Sequence, residues 1–273
     1  QSELVSFFPD LSELFPQGIV HQEKTSTLIA AGILARPVCE ELRTQITPDV
    51  KEREFQRWMA TNQDVPEEIV TRLAENKLRN DHIVDHYVQN RDKYQQTIIF
   101  ADRWFQCEYM RTRLVKRGVR ADVVYAHVDA DPESVAARNR RTKDENARVI
   151  HAFKKGSLDV LINVRMLTEG TDVPRVKTVF LTRQTTSSIL LTQMVGRALR
   201  GPKVNGKAEA FIVSFIDNWK ELIHWAGFEQ LVGGEADDYE RAYGKRPPLQ
   251  LISIELIRRL ARIMDSGVTM EPL

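Results

Sequence analysis

Residues 159–201 read DVLINVRMLTEGTDVPRVKTVFLTRQTTSSILLTQMVGRALRG, and their pattern is the most informative one for predicting the fold. Two short apolar runs, 160–164 and 178–182, have the length and the β-branched content of buried strands. A turn rich in glycine, aspartate and proline separates them at 170–174. After a pair of serines that can cap a helix N-terminus, the apolar spacing becomes helical and continues as far as the next Gly-Pro pair. The stretch therefore predicts strand, turn, strand and helix.

The last of these elements presents two arginines on one side. At about 100° per residue, Gln193, Gly196, Arg197 and Arg200 share one face of the predicted helix, and apolar residues fill the opposite face. A guanidinium keeps its charge and presents a fork of donors that matches phosphate oxygens. The pair can therefore stabilise the negative charge that develops in phosphoryl transfer. The other interpretation of this spacing is a solvated amphipathic helix.

Two segments of the stretch carry a family resemblance. Residues 169–174, EGTDVP, resemble motif V of the two-domain DEAD/DEAH-type helicases and translocases, and residues 193–200, QMVGRALR, resemble motif VI. The variant is most similar to the restriction-enzyme and excision-repair group, in which glutamine replaces the initial histidine of the DEAD-box form. The resemblance implies that Arg200 is the arginine finger and that Arg197 is a companion contact to the γ-phosphate.

The same resemblance implies a set of nucleotide-binding residues. Gly170 and Asp172 would touch the ribose of the nucleotide and couple the nucleotide to nucleic acid. The expected nucleotide-binding residues are Glu169, Gly170, Asp172, Gln193 and Gly196.

A second phosphate motif is rejected. Residues 201–207, GPKVNGK, match the spacing GxxxxGK, but Ala208 stands where a P-loop has the hydroxyl that holds Mg²⁺. The segment also leaves a predicted helix and enters a predicted strand at 210–215, which inverts the P-loop context, so we interpret it as a flexible surface connection. With no other P-loop and no DExx box with a suitable strand in the sequence, the resemblance implies that ATP and Mg²⁺ are held mainly by a first RecA-like domain outside this chain.

The remaining core pattern alternates strands and helices. Residues 97–101 and 121–128 predict strands, the first of them similar to motif IV, while 102–117 and 146–153 predict helices, the first capped by Asp102. Such alternation favours a parallel sheet with both faces covered and a site at the carboxyl ends of the strands. The predicted fold class is α/β, a RecA-like parallel sheet with helices on both faces and helical extensions at both ends.

Basic and polar residues just past the strand ends are the candidates for nucleic-acid contact. Arg103 and Arg183 each follow a predicted strand, and Thr168 precedes motif V. A denser basic cluster at 138–148 is equally compatible with phosphate binding and with an exposed helix surface, because acidic residues interrupt it.

The flanking segments divide the chain into three predicted parts. Residues 1–79 form an interdomain connector and helical extension, 80–218 the RecA-like domain, and 219–273 a helical C-terminal extension. Within the first part, 35–44 predict an extended connector, and Asn80 is a candidate cap for the helix that follows it.

Composition excludes several classes of protein. Lys and Arg number 39 against 38 Asp and Glu, a net charge of +1, so any nucleic-acid contact must be local. Cys39 and Cys107 are too few and too far apart for a disulfide framework, which suits a reducing cytoplasm. No run of about 18 apolar residues predicts a membrane span.

His82 and His86 lie four apart on a predicted helix, where a solvated face is favoured over half of a metal site.

Together these features predict the second motor domain of an ATP-dependent helicase or translocase. The expected partners are nucleic acid, DNA before RNA, and the first RecA-like domain of the same parent chain, with no membrane and a cytoplasmic location. This chain alone is expected to be inactive. Two alternatives stay open: a catalytically silent scaffold that binds nucleic acid or protein, and an unrelated nucleotide-binding α/β enzyme.

Overall fold

The computed structural model describes nine parts of the chain. These parts are residues 25–44, 46–48, 51, 66–125, 141–164, 166–167, 173, 175–182 and 193–217. The predicted C-terminal extension and the end of the predicted strand 121–128 lie outside them.

The described residues form one six-stranded sheet in which every pairing is parallel. The strand order is β1-β6-β5-β2-β4-β3. The strands are β1 (Arg36–Arg43), β2 (Thr97–Phe100), β3 (Ala121–Tyr125), β4 (Val160–Val164), β5 (Thr178–Leu181) and β6 (Glu209–Ile216). The four central strands are wholly or almost wholly buried, as expected of a parallel sheet covered on both faces.

Helices connect the strands. They are α1 (Thr25–Ala30), α2 (Glu67–Glu75), α3 (Lys77–Gln89), α4 (Arg91–Tyr94), α5 (Trp104–Lys116) and α6 (Lys143–Lys154), followed by a short helical segment at 193–196 and a 3-10 turn at Pro202–Val204. In the part of the chain that the structure describes, no helix has the length and apolar character to cross a membrane.

Two apolar clusters fill the two faces of the sheet. Because successive strand residues point to opposite faces, Ile99 joins one cluster and its neighbour Ile98 joins the other. The first cluster takes its helical residues from α3, α4 and α5. The second takes Phe153 from α6 and Met194 and Val195 from the segment 193–196. The parallel sheet with helices on both faces is as predicted.

Two predicted helix starts are wrong. Asp102 does not cap α5, because the helix begins at Trp104 and the Asp102 N–H donates to Gln106 Oε1 (2.9 Å). Asn80 lies buried inside α3, whose cap is Asn76, with a side chain that accepts from the Arg79 N–H (3.0 Å). The Asn80 side chain, which could cap a helix, instead bonds to the Ala74 carbonyl and to Gln106.

Helix α6 starts three residues earlier than predicted. Thr142 Oγ1 accepts from the Glu145 N–H (3.2 Å), and the Glu145 carboxylate accepts from the Thr142 N–H (2.8 Å). This capping box satisfies backbone donors at both positions, so the charged residues 143–145 form the first turn.

The segment predicted to be a connector contributes a strand. β1 pairs with β6 along its whole length, from Arg36 opposite Glu209 to Arg43 opposite Ile216. The sheet therefore includes a strand from before residue 80, and residue 80 itself lies inside α3. The division of the chain at that point stays a prediction.

Candidate functional site

The carboxyl ends of the six parallel strands lie along one edge of the sheet. Polar residues follow the strands there, and several of them are buried. Thr44 follows β1, Asp217 follows β6, Thr182 follows β5 and Asp102 follows β2, each less than a tenth exposed.

A buried ion pair joins three of these strand ends to α3. The Nε of Arg79 donates to both carboxylate oxygens of Asp217, at 2.8 and 3.1 Å, and neither side chain is exposed. Arg79 Nη2 donates to the Thr182 carbonyl (2.6 Å), and Thr44 Oγ1 donates to Asp217 Oδ1 (2.6 Å). The ends of β1, β5 and β6 are therefore fixed to one guanidinium. The sequence pattern does not reveal this group, because Arg79 looks like an ordinary charged residue in a helix.

A second chain of hydrogen bonds continues along the same edge. Gln106 Nε2 donates to Asn80 Oδ1 (2.9 Å), and Asn80 Nδ2 donates to the Ala74 carbonyl (2.8 Å). The Thr182 hydroxyl donates to the Phe100 carbonyl (2.8 Å), which ties the ends of β5 and β2. Buried side chains thus hold the strand ends and the adjoining helices α2, α3 and α5 in one arrangement.

Arg103 lies at this edge, directly before α5. Its guanidinium pairs with the Glu67 carboxylate on α2 and donates to the Asp102 carbonyl (3.1 Å) and to Thr71 Oγ1 (3.3 Å). The side chain is 20% exposed. Arg103 is therefore held against α2, and its contact with nucleic acid stays a prediction.

The helix predicted to run as far as Arg200 ends earlier. Residues 193–196 are helical, while Arg197 and Ala198 form a turn whose N–H groups donate to Met194 O (3.4 Å) and Val195 O (3.0 Å). Arg200 forms an isolated antiparallel bridge with Leu34. The prediction that the two arginines share one helical face is therefore wrong.

Burial along this segment follows the predicted polarity. Met194, Val195 and Ala198 are buried in the second cluster, Gly196 is exposed, and Gln193, Arg197 and Arg200 are half-buried. An apolar side anchors the segment against the sheet. Both arginines remain at the surface of the domain.

Backbone hydrogen bonds explain why the helix stops. The Leu199 carbonyl accepts from the Ala35 N–H (3.1 Å), and the Gly201 N–H donates to the Ile33 carbonyl (2.9 Å). On the other side, the Arg200 carbonyl accepts from the Lys207 N–H (3.0 Å). The Leu199 carbonyl and the Gly201 N–H, which would continue the helix, are therefore bonded to residues distant in sequence.

Further backbone hydrogen bonds close the loop after Arg200. The Lys203 N–H donates to the Gly32 carbonyl (2.9 Å), and the Gly206 N–H donates to the Gly201 carbonyl (2.9 Å). The segment is a surface connection, as predicted, with backbone bonds at both ends, and its flexibility stays a prediction. The loop does lead into a strand, β6, as the rejection of a P-loop required.

The other predicted site residues have different outcomes. Outside the described residues lie Thr168, Glu169, Gly170, Asp172 and Arg183. Leu167, just before motif V, and Val173, inside it, are buried in the second cluster.

The basic cluster is divided. Arg141 pairs with Asp122 on β3 (2.8 Å) and donates to the Val123 carbonyl (2.7 Å). Lys143 and Arg148 are exposed on α6, and the cluster residues before 141 lie outside the described ranges. For the described members, Arg141 binds the sheet and the others form an exposed helix surface.

Of the two histidines, His82 is exposed, as predicted for a solvated face, whereas His86 is half-buried. The Tyr94 hydroxyl donates to Glu40 (2.6 Å) and accepts from His86 Nε2 (2.7 Å), so these two hydrogen bonds help to join α3 and α4 to β1. The His86 ring also packs edge-on against Phe215, with 6.0 Å between ring centroids. Burial lowers the pKa of His86 below its ordinary value, against an opposing effect of the Glu40 charge. The described ranges contain no group of three or more side chains able to hold a metal ion.

Neither cysteine is suited to thiol chemistry. Cys107 is fully buried in the first cluster and Cys39 is half-buried on β1. Burial raises the pKa of both thiols, with neighbouring carboxylates adding to the effect. Both therefore remain protonated at neutral pH and unreactive.

The family model described as "Helicase conserved C-terminal domain" matches residues 79–202. This segment is a helicase C-terminal domain. The match begins at Arg79, in the buried ion pair, and ends at Pro202, just beyond Arg200. It thus includes the predicted motifs IV, V and VI and strands β2 to β5.

Curated relatives of this helicase C-terminal domain are longer proteins. The chain is 26% identical over 193 residues to a Saccharomyces cerevisiae protein named "Putative ATP-dependent helicase IRC3", a match that covers 70% of this chain and 26% of the relative. It is 27% identical over 164 residues to the UvrABC system protein B of Fusobacterium nucleatum, which covers 58% of this chain and 22% of the relative. The chain thus spans about a quarter of the length of these relatives.

Solved structures show the same fold. A Vibrio vulnificus YJ016 fragment, described as "a putative HsdR subunit of a type I restriction enzyme", superposes with a TM-score of 0.50 at 17% identity. The alignment covers 76% of this chain and 37% of that one. The parallel sheet flanked by helices is the RecA-like α/β fold of helicase C-terminal domains, as predicted.

Proposed function

We propose that this chain is the second motor domain of an ATP-dependent helicase or translocase and that Arg200 is its arginine finger. The observation that carries the proposal is the setting of Arg200. Its backbone is bridged to Leu34 on one side and bonded to Lys207 on the other, while its side chain is only half-buried. A permanent charge on a fixed backbone suits an electrostatic role in phosphoryl transfer, where positioning supplies much of the rate.

Arg197 has the companion role in this proposal. It lies in the turn between the buried Val195 and Ala198, so the apolar anchor also fixes its backbone. A second guanidinium beside the first would share the charge of the γ-phosphate oxygens.

The proposal includes the nucleotide-binding residues predicted from the sequence. Among those that the structure describes, Gly196 has the most support. Gly196 is exposed, and a Cβ built on it would meet no heavy atom of the chain within 4 Å. The packing of this domain therefore does not require glycine there. Close approach of a bound nucleotide gives a reason for it. The other members of the proposed set are Glu169, Gly170, Asp172 and Gln193.

ATP and Mg²⁺ are assigned mainly to a first RecA-like domain of the parent chain. Mg²⁺ is held in such motors by oxygen ligands and by the phosphates of the nucleotide. The described part of this chain offers no cluster of metal ligands, and the loop at 201–208 lacks the required hydroxyl and enters a strand. The residues that fit the nucleotide are guanidiniums, which match phosphate oxygens and not a cation.

Nucleic acid is the proposed second partner, with DNA favoured over RNA. The proposed contacts are Arg103, Thr168 and Arg183, of which Arg103 is described and lies at the edge formed by the carboxyl ends of the strands. The yeast relative is named an ATP-dependent helicase, which supports nucleic acid as a partner. The preference for DNA rests on the resemblance of motifs V and VI to the restriction-enzyme and excision-repair group. A cytoplasmic location, inferred from the two free thiols, belongs to the same proposal.

Nucleic-acid-stimulated ATP hydrolysis by the intact native protein tests this function. Arg200→Ala should lower kcat by roughly 10³- to 10⁵-fold, the contribution of an arginine finger. The matched control is Arg111→Ala, since Arg111 is a partly exposed arginine that pairs only with Glu108 on its own helix α5. Equal rates for Arg200→Ala and wild type would leave the silent scaffold as the better account.

Isothermal titration of ATP into this chain alone tests the third alternative, an unrelated nucleotide-binding α/β enzyme. The proposal predicts weak or undetectable binding, because the phosphate-gripping loop is assigned to another domain. Micromolar affinity would favour a self-sufficient nucleotide-binding enzyme.

A further inference from the structure

The segment between α1 and β1 is joined to the loop that carries Arg200. Three backbone hydrogen bonds cross between them, from Ala35 to Leu199, from Gly201 to Ile33 and from Lys203 to Gly32, and the first two form the Leu34–Arg200 bridge. We call residues 28–35 the N-terminal clasp. The clasp lies more than 160 residues before the loop in sequence, so the contact belongs to the tertiary fold.

The clasp is attached firmly at both ends. At its start, the N–H groups of Ile33 and Leu34 both donate to the Leu28 carbonyl, which closes the end of α1. At its end, Ala35 is fully buried, and the next residue enters β1 in register with β6. A displacement of α1 is therefore transmitted to the clasp and from there to the Arg200 backbone.

Glycines allow the close approach of the two segments. A Cβ on Gly201 would lie 2.4 Å from the Gly32 carbonyl oxygen, and a Cβ on Gly206 would lie 1.8 Å from the Arg200 carbonyl oxygen. Both atoms belong to the backbone, so neither can move aside as a flexible side chain could. Gly32 has a φ of +70°, which turns the chain out of α1 and towards the loop.

We propose that the N-terminal clasp, together with Gly201 and Gly206, is the positioning element of Arg200. This inference rests on the proposed function of Arg200 and adds a route by which that function is controlled. The clasp lies in the part of the chain predicted to connect to the first RecA-like domain. Movement of that connector shifts the backbone on both sides of the arginine, so hydrolysis depends on the position of the clasp.

Steady-state hydrolysis by the intact native protein tests the proposal. Gly206→Ala should lower kcat by about 100-fold, the loss expected from displacing a catalytic group by about 1 Å. The KM for ATP should stay within about threefold, because the phosphate-gripping residues are assigned to another domain. In an Arg200→Ala background the same substitution should cause little further loss, since both act through one group.

Gly32→Ala is a milder second variant. The new Cβ would meet only Lys203 Cγ, at 3.6 Å, so the main effect is the positive φ. Its matched control is Gly118→Ala at the end of α5, which has a φ of +74° and open space around the added Cβ. Both substitutions strain a left-handed position, but only the first is connected to Arg200. Gly32→Ala should lower kcat by about tenfold relative to Gly118→Ala.

The outcomes are separable. If Gly32→Ala and Gly118→Ala have equal kcat, or if Gly206→Ala loses as much rate without Arg200 as with it, the clasp does not position the arginine and the proposal is wrong. If Gly206→Ala does not fold, the comparison of Gly32→Ala with Gly118→Ala decides alone. Retention of full activity by Arg200→Ala would instead refute the proposed function itself.

Discussion

Replacing Arg79 with methionine should destabilise the chain by about 3–5 kcal/mol, the loss expected when one partner of a buried ion pair is removed. Arg79 and Asp217 are both fully buried, and three hydrogen bonds from the guanidinium disappear in the variant. Among the described residues, the Asp217 carboxylate would retain the Thr44 hydroxyl as its hydrogen-bond donor. The Thr182 carbonyl would also lose its short bond from Arg79, and this lost bond is included in the predicted loss.

Urea unfolding followed by circular dichroism measures this loss. Arg111→Met is the matched control, because its ion pair with Glu108 is partly exposed and should contribute about 0–1 kcal/mol. The double variant Arg79→Met with Asp217→Leu should recover much of the stability, because an apolar pair of similar volume removes the uncompensated charge. A loss below about 1 kcal/mol in Arg79→Met, or a double variant no more stable than the single one, would refute the reasoning.

Two further predictions concern local structure. Because the pKa of His86 is lowered, its contribution to stability is fully present above its ordinary pKa of 6.5 and is lost as the pH falls through the folded-state value. Thermal unfolding from pH 8 downwards should therefore show wild type losing stability faster than His86→Gln below pH 6.5, and parallel curves would contradict this. Thr142→Ala should destabilise the chain by about 1 kcal/mol through loss of the α6 cap, while Thr142→Ser should be close to wild type. Equal urea midpoints for the two variants would contradict the capping argument.

Strand positions could be predicted from the sequence because their signal is local. The runs at 97–101, 160–164 and 178–182 are short, apolar and rich in β-branched residues, and each became a buried strand within one residue of its predicted end. The sequence of β1 predicts an extended segment but does not identify it as a strand of the sheet. Its half-buried pattern gains meaning only when β6 lies beside it.

The predictions of two helix boundaries were wrong, for different physical reasons. The start of α6 could have been found, because Thr142 and Glu145 have the spacing of a capping box. The end of the helix before Arg200 could not, since the bonds that stop it come from residues 33–35, far away in sequence. Tertiary hydrogen bonding overrode a helical pattern that was locally consistent.

The buried polar group of the site was equally beyond local reasoning. Arg79 sits in a helix with charged neighbours, and nothing in that pattern distinguishes it from a solvated arginine. Its role depends on the strand order, which places Asp217 and Thr182 beside each other at the ends of β6 and β5. Motif resemblance identified Arg197 and Arg200 as candidates, but their backbone setting came only from the structure.

Single-turnover hydrolysis of prebound ATP by the intact protein tests the central claim most directly. With nucleic acid saturating, Arg200→Ala should slow the chemical step by roughly 10³- to 10⁵-fold, while the Kd for ATP changes by less than about tenfold, since only charge that develops in the transition state loses its partner. Unchanged hydrolysis in Arg200→Ala, or a loss confined to ATP binding, would contradict the assignment of Arg200 as the arginine finger.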